Sequence, residues 1–174
     1  MEETLELIVP SEQYEEEWKS IVAEMRAETP DITPYALRHQ TDDYAEYLRI
    51  VRRFAAGQHI PAGKVPSEVY FLCRSGETRI LGAVDIRLAL NDYLFRIGGN
   101  IGYGVRPSER RKGYAGKMLA MALDRCRELG MKRVLLSCDE DNDGSRKTIE
   151  KNGGILENIV DFESERVMRF WISL

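Results

Sequence analysis

The chain has 174 residues, enough for one domain with a sizeable core, and 43% of them are hydrophobic while 31% are charged. The formal net charge of −4 argues against a general nucleic-acid binder, so any basic patch must be local. The first residues are acidic and no long apolar segment occurs, which predicts neither a signal peptide nor a membrane span. We therefore expect a cytoplasmic protein without a nucleic-acid or membrane partner.

The cysteines and histidines do not form a metal-binding pattern. Cys73, Cys126 and Cys138 are an odd number and show no Cys-x-x-Cys spacing, which predicts reduced and buried thiols. His39 and His59 are isolated from each other and from the cysteines. We therefore expect no bound metal.

The N-terminal part predicts one short strand and two helices. A strand is expected over Glu6–Pro10, and Ser11 then stands where a helix N-cap is expected. A loop with two prolines separates this first helix from a second one, which we expect to start near Thr41-Asp42 and to end at Gly57. The first helix is supported by apolar residues at helical spacing: Tyr14, Trp18, Ile21, Val22 and Met25.

From Glu68 onward the hydrophobic period changes to that of strands. Val69–Cys73 and Ile80–Leu88 flank a polar turn with a glycine and predict a hairpin. A short helical turn and a Gly-Gly bend are expected between Asn91 and Gly99.

A strand, a helix and a second strand follow. The strand is expected over Ile101–Val105, and the helix runs from Gly113 to Leu129. Arg133–Cys138 is a continuous apolar run, which is typical of a parallel strand covered on both faces, so the unit predicts a βαβ crossover. The chain then predicts a brief helix and a terminal antiparallel hairpin, in Ser145–Asn152, Ile155–Asp161 and Arg166–Leu174.

The connection between the first strand and the helix predicts an anion site. Three consecutive cations, Arg110, Arg111 and Lys112, stand directly before the small residues around Gly113 and Gly116. A helix N-terminus leaves backbone N–H groups unpaired and carries the positive end of the helix dipole. The glycine spacing fits neither the dinucleotide motif nor the nucleoside-triphosphate loop, which disfavours NAD and ATP.

Four short motifs together resemble the GNAT superfamily of acyl-CoA-dependent N-acetyltransferases. Arg110–Ala115 has the pattern Arg-x-x-Gly-x-Ala, and Ile101–Pro107 before it has the form Ile-Gly-Tyr-x-Val-x-Pro. Downstream, Asn142–Ser145 matches Asn-x-x-Ser and Glu150–Gly153 matches Glu-Lys-x-Gly. The resemblance covers about residues 68–174, and the joint occurrence of the motifs makes it specific.

The resemblance implies an α/β (α+β) fold in a single domain, residues 1–174. Its mixed, mostly antiparallel twisted sheet of about six to seven strands would contain a central splayed parallel pair, with helices on both faces. Residues 1–66 would form the cover on the acceptor side, and residues 67–174 the acetyl-CoA-binding core.

The resemblance also implies acetyl-CoA as cosubstrate, lying between the two splayed strands. The pantetheine arm would pair with the backbone of the first strand, and the pyrophosphate would sit on the N–H groups at the helix start. The residues implied in binding are Tyr103, Gly104, Val105, Arg110, Arg111, Lys112, Gly113, Tyr114, Ala115, Gly116, Asn142 and Ser145.

The usual catalytic groups of the family are absent from the matching positions. Ile149 stands where many members have a tyrosine acid, and Asn100 stands where others have a glutamate base. Direct attack by a neutral amine remains feasible, with the backbone N–H of Val105 as an oxyanion donor.

Two substitutes are candidates for catalysis. Asp85 interrupts an apolar strand and is a candidate to bind a cationic amine or to act as base, with an ion pair to Arg87 or Arg96 as the structural alternative. Tyr103 is a candidate proton donor, with core packing as its alternative. Tyr35 and His39 stand in the loop expected to cover the acceptor, and Cys138 stands near the expected thioester, but a structural or surface role explains each of them.

These features predict an N-acetyltransferase that transfers acetyl to a primary amine of a small molecule or peptide in a ternary complex. The acidic residues mildly favour a cationic acceptor. The alternative hypothesis is a non-catalytic acyl-CoA-binding sensor or interaction module. Exposed edges of the terminal hairpin would allow a homodimer.

Overall fold

The computed structural model describes residues 3–174, which form strands and helices in the order that the sequence predicts. The strands in this range are β1 Leu5–Ile8, β2 Ser67–Arg74, β3 Ile80–Arg87, β4 Ile101–Val105, β5 Arg133–Asp139, β6 Ile155–Phe162 and β7 Glu165–Ser173. The α-helices are α1 Glu15–Arg26, α2 Tyr44–Ala55, α3 Tyr114–Glu128 and α4 Asp143–Lys151. Short 3-10 turns cover Glu12–Tyr14, Tyr35–Leu37 and Pro107–Glu109, and Leu94–Gly98 forms one π-helical turn.

The strands form two antiparallel sheets that meet at β4 and β5. The first sheet has the order β1-β2-β3-β4, and the second has the order β5-β7-β6. Strands β4 and β5 are linked through α3 and leave their meeting point in the same direction, so that Val105 and Asp139 at their far ends line one groove. The predicted fold class, with its splayed central pair and helices on both faces, is confirmed.

Asn100 forms the junction between the two sheets and is 4% exposed. Its backbone N–H donates to the carbonyl of Leu135 at 2.6 Å, and its side-chain Oδ1 accepts from the N–H of Leu135 at 2.8 Å. Its Nδ2 donates to the carbonyl of Arg87 at 3.2 Å. The Leu135 N–H thus bonds to the amide side chain of Asn100 instead of to a backbone carbonyl of β4. Strands β4 and β5 therefore stop pairing at Asn100 and diverge.

The two faces of the first sheet pack against different helices. Val84 and Ile86 on β3 join the core that contains α3 and the second sheet, while Ala83 joins the core formed with α1 and α2. Asp85 shares the α1 and α2 face with Ala83, since alternate residues of a strand point to opposite faces. The sheet therefore places Asp85 on the side of the N-terminal helices.

Three local expectations need correction. Strand β1 covers Leu5–Ile8 and ends before Pro10. Ser11 makes no capping bond through its side chain, because the chain enters α1 through a 3-10 turn. Helix α2 begins at Tyr44 rather than near Thr41-Asp42, since Asp43 accepts hydrogen bonds from the second and third N–H groups at 2.9 and 3.2 Å.

The three cysteines are free and buried, as predicted. In residues 3–174, no helix combines the length and the apolar character that crossing a membrane requires.

Candidate active site

A groove of about 700 Å³ opens where β4 and β5 diverge, and the N-terminus of α3 closes one end. Eleven of the twelve residues predicted to bind the cosubstrate line this groove, and Lys112 is the exception. The eleven are Tyr103, Gly104, Val105, Arg110, Arg111, Gly113, Tyr114, Ala115, Gly116, Asn142 and Ser145.

The edge of β4 offers to the groove backbone groups that no strand pairs, and among them the Val105 carbonyl accepts a long hydrogen bond from Arg110 Nε at 3.4 Å. The N–H of Arg106 donates to the carbonyl of Leu81 on β3 at 2.8 Å. In an antiparallel strand, successive residues direct their main-chain groups to opposite sides. Tyr103 and Val105 therefore direct theirs away from β3, toward the side where β5 has separated.

Gly113 shapes the start of α3. It has φ of +82°, in the left-handed region that glycine tolerates best, and no side chain caps the helix. The first N–H groups of the helix have no partner within it, and Tyr114, Ala115 and Gly116 line the groove. This end of the groove is suited to an anion.

Glu109 organises the charges beside the groove. It is buried and accepts hydrogen bonds from Lys112 at 2.8 Å and from Arg79 at 2.9 Å. The Lys112 ammonium and, less strongly, the Arg79 guanidinium hold the pKa of Glu109 below its usual value. Lys112 therefore neutralises a carboxylate next to the groove instead of lining it.

Arg110 and Arg111 differ in their pairing. Arg110 forms an ion pair with Glu28 at 2.6 Å, and both side chains are 48% exposed. Arg111 lies in the loop with φ of +67° and forms no ion pair with any residue in 3–174. Arg111 is thus the cation of this loop that is available to a ligand without first breaking an ion pair.

A cluster of hydroxyl and thiol groups lines the groove, from Tyr103 on β4, Cys138 on β5 and Ser145 on α4. The Tyr103 hydroxyl and Ser145 Oγ are 3.0 Å apart, and Asn142 accepts a hydrogen bond from the N–H of Ser145 at 3.0 Å, capping α4. Burial raises the pKa of Tyr103 and raises that of Cys138 to about 11. Both groups are protonated at neutral pH, so Tyr103 can donate a proton and Cys138 is a poor nucleophile.

Ile149, which stands at the position of the usual tyrosine acid, lies in the core and is fully buried. Its side chain fills the space where a Cβ at Gly154 would be. It has no access to the groove.

A second cavity of about 440 Å³ lies on the other face of the first sheet, between β3, α2 and the loop before β2. Arg87 and Tyr93 line both this cavity and the groove. The Arg87 guanidinium bonds to Asp85 Oδ2 at 3.1 Å and to the carbonyls of Gly98 and Gly99 at 2.8 and 3.2 Å. Arg87 therefore stands in the wall between the two spaces.

Asp85 lines the second cavity and is 4% exposed. The ion pair with Arg87, which was the structural alternative for this residue, is present, whereas the Arg96 guanidinium lies over the ring of Phe162. Burial raises the pKa of Asp85, and the Arg87 charge and the nearby Ser67 hydroxyl oppose part of that rise. Asp85 Oδ1 has no hydrogen-bond partner in residues 3–174.

The loop between α1 and α2 lies directly on β4. A Cβ at Gly104 would overlap the carbonyl oxygen of Thr33, and a Cβ at Gly102 would lie 3.5 Å from the Pro34 side chain. Thr33 lines the groove, while Tyr35 lines the second cavity. Both sites therefore share this loop as a wall.

The structure adds residues that the sequence did not single out. Arg53 on α2 and Lys64 in the following loop line the second cavity together with His39. No motif links these positions, because only the folding of the loop across the end of α2 brings Lys64 to the cavity.

Comparison with known proteins gives the family. The sequence model of the acetyltransferase (GNAT) domain matches residues 12–155, so the chain belongs to the GNAT acetyltransferase family. The family and the enzyme class predicted from the motifs are thereby confirmed. No curated protein matches the chain at a significant level.

Solved structures with this fold include two complexes with the predicted cosubstrate or its product. RimL, a ribosomal L7/L12 alpha-N-protein acetyltransferase in complex with coenzyme A, is 17% identical with a TM-score of 0.70, covering 98% of this chain and 94% of that one. The microcin C7 self-immunity acetyltransferase MccE, in complex with acetyl-CoA and AMP, is 16% identical with a TM-score of 0.68, covering 98% and 93%. A spermidine N-acetyltransferase SpeG chimera from Vibrio cholerae and hSSAT is 15% identical with a TM-score of 0.66, covering 98% and 95%.

Proposed function

We propose that this protein transfers the acetyl group of acetyl-CoA to a primary amine by direct attack in a ternary complex. The observation that carries the proposal is the groove between β4 and β5, which has unpaired strand backbone on one side and a helix N-terminus at its end. These are the two features that bind a pantetheine arm and a pyrophosphate.

In this proposal the cosubstrate lies along β4. The pantetheine amides pair with the backbone of Tyr103 and Val105, and the pyrophosphate accepts from the N–H groups at Gly113 to Gly116. Arg111 supplies the first positive charge to the pyrophosphate. Arg110 supplies the second by leaving Glu28, because an ion pair exposed on both sides is worth less than about 1 kcal/mol.

The transfer requires one bond to form and one to break. The amine nitrogen attacks the thioester carbonyl carbon, and the C–S bond breaks to release the CoA thiolate. The bound ammonium gives up one proton to become the nucleophile, its nitrogen gives up a second one to solvent after the attack, and the thiolate gains one. No cosubstrate other than acetyl-CoA is needed for this balance.

We assign the first and the last of these proton transfers to the candidates named above. Asp85 has an unpartnered oxygen on the acceptor side of the sheet and a pKa raised by burial, as a base toward an ammonium group requires. Tyr103 is protonated, lies on the cosubstrate side and has Ser145 as a hydroxyl partner, as a donor to the thiolate requires.

The test is release of free thiol from acetyl-CoA across a panel of primary amines. Tyr103→Phe is expected to lower kcat by about 10²-fold or more while leaving acetyl-CoA affinity unchanged. Tyr70→Phe is the matched control, because its hydroxyl bonds Glu68 and it lies outside both cavities. Equal kcat in both variants would remove Tyr103 from the mechanism.

The second candidate function is a non-catalytic acyl-CoA sensor. It is favoured by Asn100 and Ile149, which replace the usual base and acid of the family. Binding of acetyl-CoA by calorimetry without thiol release on any amine would select the sensor. Absence of binding would refute both functions.

We further propose a homodimer through the free edge of β6. This strand lies at the end of its sheet, and Ile155 is 73% exposed there next to the exposed Leu156. Sedimentation should show a dimer that Ile155→Lys converts to a monomer. A monomeric wild type would exclude this arrangement.

A further inference from the structure

The second cavity carries an excess of positive charge. Its wall contains the guanidinium groups of Arg53 and Arg87, the ammonium of Lys64 and the carboxylate of Asp85. Arg87 and Asp85 form an ion pair at 3.1 Å, so their charges cancel. Two positive charges remain, on Arg53 and Lys64.

Neither remaining charge has a counterion within the part of the chain that the structure describes. Arg53 and Lys64 form no ion pair with any residue in 3–174, and both pack against rings instead. The Lys64 ammonium lies 4.9 Å from the ring centre of Tyr35. Arg53 Nε is buried without a hydrogen-bond partner in the same part of the chain, and a charged donor in this state gains most from an anion.

His39 lies in the same wall. Burial, together with the charges of Lys64 and Arg53, lowers the pKa of His39 to about 4, so the imidazole is neutral at pH 7. Its Nε2 is buried without a hydrogen-bond partner in residues 3–174. A neutral imidazole can direct an N–H toward an anion without adding charge.

The rest of the cavity is largely apolar and aromatic, with Ser67 and Asn91 as polar lining residues. Ile50 and Leu94 supply apolar surface, Phe54 packs against Arg53 and His39, and Tyr93 lines the cavity where it meets the groove. A ligand that fills the cavity therefore has an apolar body and one anionic end. Its other end reaches Arg87 and Tyr93, where the cavity adjoins the groove.

We infer that the acceptor is an amine that carries an anionic group, a carboxylate or a phosphate, bound by Arg53, Lys64 and His39. The amine end points toward Asp85 and Arg87, and the apolar body fills the cavity between them. This inference rests on the proposed acetyl transfer and specifies its acceptor. It differs from the cationic acceptor that the acidic residues of the sequence favoured.

The experiment compares amines that differ only in the anionic group. 4-(Aminomethyl)benzoate with benzylamine and γ-aminobutyrate with propylamine differ by a carboxylate at the end away from the amine, and phosphoethanolamine with ethanolamine differ by a phosphate. For at least one pair, kcat/KM for acetyl transfer is expected to be about tenfold or more higher for the anionic member. The pair that shows the preference identifies the anion.

Variants locate the preference in the cavity. Arg53→Gln is expected to lower the ratio of the two kcat/KM values about tenfold or more, through the anionic member alone. Arg52→Gln is the matched control, since the neighbouring Arg52 is paired with Glu12 and does not line the cavity. Lys64→Gln, on the exposed loop, serves as the second variant if Arg53→Gln does not fold.

The outcomes separate this inference from the proposed function. Acetyl transfer with no preference for the anionic member of any pair would overturn the inference and leave the transferase intact. If no amine is acetylated, 4-(acetamidomethyl)benzoate and N-benzylacetamide are titrated into the CoA complex by calorimetry. Tighter binding of 4-(acetamidomethyl)benzoate, lost in Arg53→Gln, would support the anion site, and equal binding would overturn it.

Discussion

Asn100→Ala tests whether this side chain holds the two sheets together at the start of the groove. The substitution removes the acceptor of the Leu135 N–H, bonded at 2.8 Å, and the donor to the Arg87 carbonyl, bonded at 3.2 Å. A buried N–H left unpaired costs about 1–3 kcal/mol, and the second bond contributes about 0.5–1.5 kcal/mol. The free energy of unfolding should therefore fall by about 2–4 kcal/mol, a large part of the usual total of about 5–15 kcal/mol.

Urea denaturation measures this loss, and Asn91→Ala provides the control. Asn91 also makes two side-chain hydrogen bonds, to Gly63 and Leu94, but at a more exposed site where water can replace them. The free energy of unfolding should therefore fall by less than about 1 kcal/mol in Asn91→Ala. In Asn100→Asp the carboxylate can accept but not donate until it is protonated, so its deficit should shrink as the pH falls. Equal losses in the two alanine variants would refute the role of Asn100 at the junction.

Three further predictions concern the helix start, the core and the second cavity. Gly113→Glu should abolish CoA binding measured by calorimetry, because the new side chain is bulky and negatively charged. Gly113→Ala is the control, which should retain CoA binding and lower the free energy of unfolding by about 1–2 kcal/mol. Normal CoA affinity in Gly113→Glu would refute the site. Ile149→Ala should lower the free energy of unfolding by about 2–5 kcal/mol with unchanged CoA affinity, while Val9→Ala, at an exposed position outside the sheets, should change it by less than about 0.5 kcal/mol. Because the folded protein lowers the pKa of His39 from 6.5 to about 4, the unfolded chain binds the proton more readily, and stability should rise between pH 4 and 6.5 with a slope of up to about 1.4 kcal/mol per pH unit. This slope should disappear in His39→Gln, and its persistence there would assign it to other groups.

The fold was predictable because the pattern of apolar residues changes along the chain. Helical spacing around Trp18 and strand periodicity from Glu68 onward gave every main element, and the basic loop before Gly113 gave the position of the groove. Element ends were less predictable, since they depend on capping bonds such as those of Asp43. The spacing of apolar residues does not show where such capping bonds form.

The charge pairing of the site was not predictable from the sequence. Arg110 and Lys112 stand in one basic run, yet they pair with Glu28 and Glu109, and Glu28 is 82 residues from Arg110 along the chain. The function of Asn100 was also hidden, because a missing glutamate suggests only an absent base. Its two side-chain partners, Arg87 and Leu135, lie in separate strands that come together only in the folded protein.

The contact between Thr33 and β4 has a consequence for how this protein can change its substrate. Gly104 has no side chain, so the loop rests on the backbone of the strand, and Tyr35, Ala36 and His39 of the same loop line the second cavity. Loops tolerate insertions and substitutions far better than strands do. New acceptors can therefore arise by changes in residues 27–43, a segment that contributes only Thr33 to the wall of the groove. Under the proposed function, selection can therefore change the amine acceptor while the groove for acetyl-CoA stays the same.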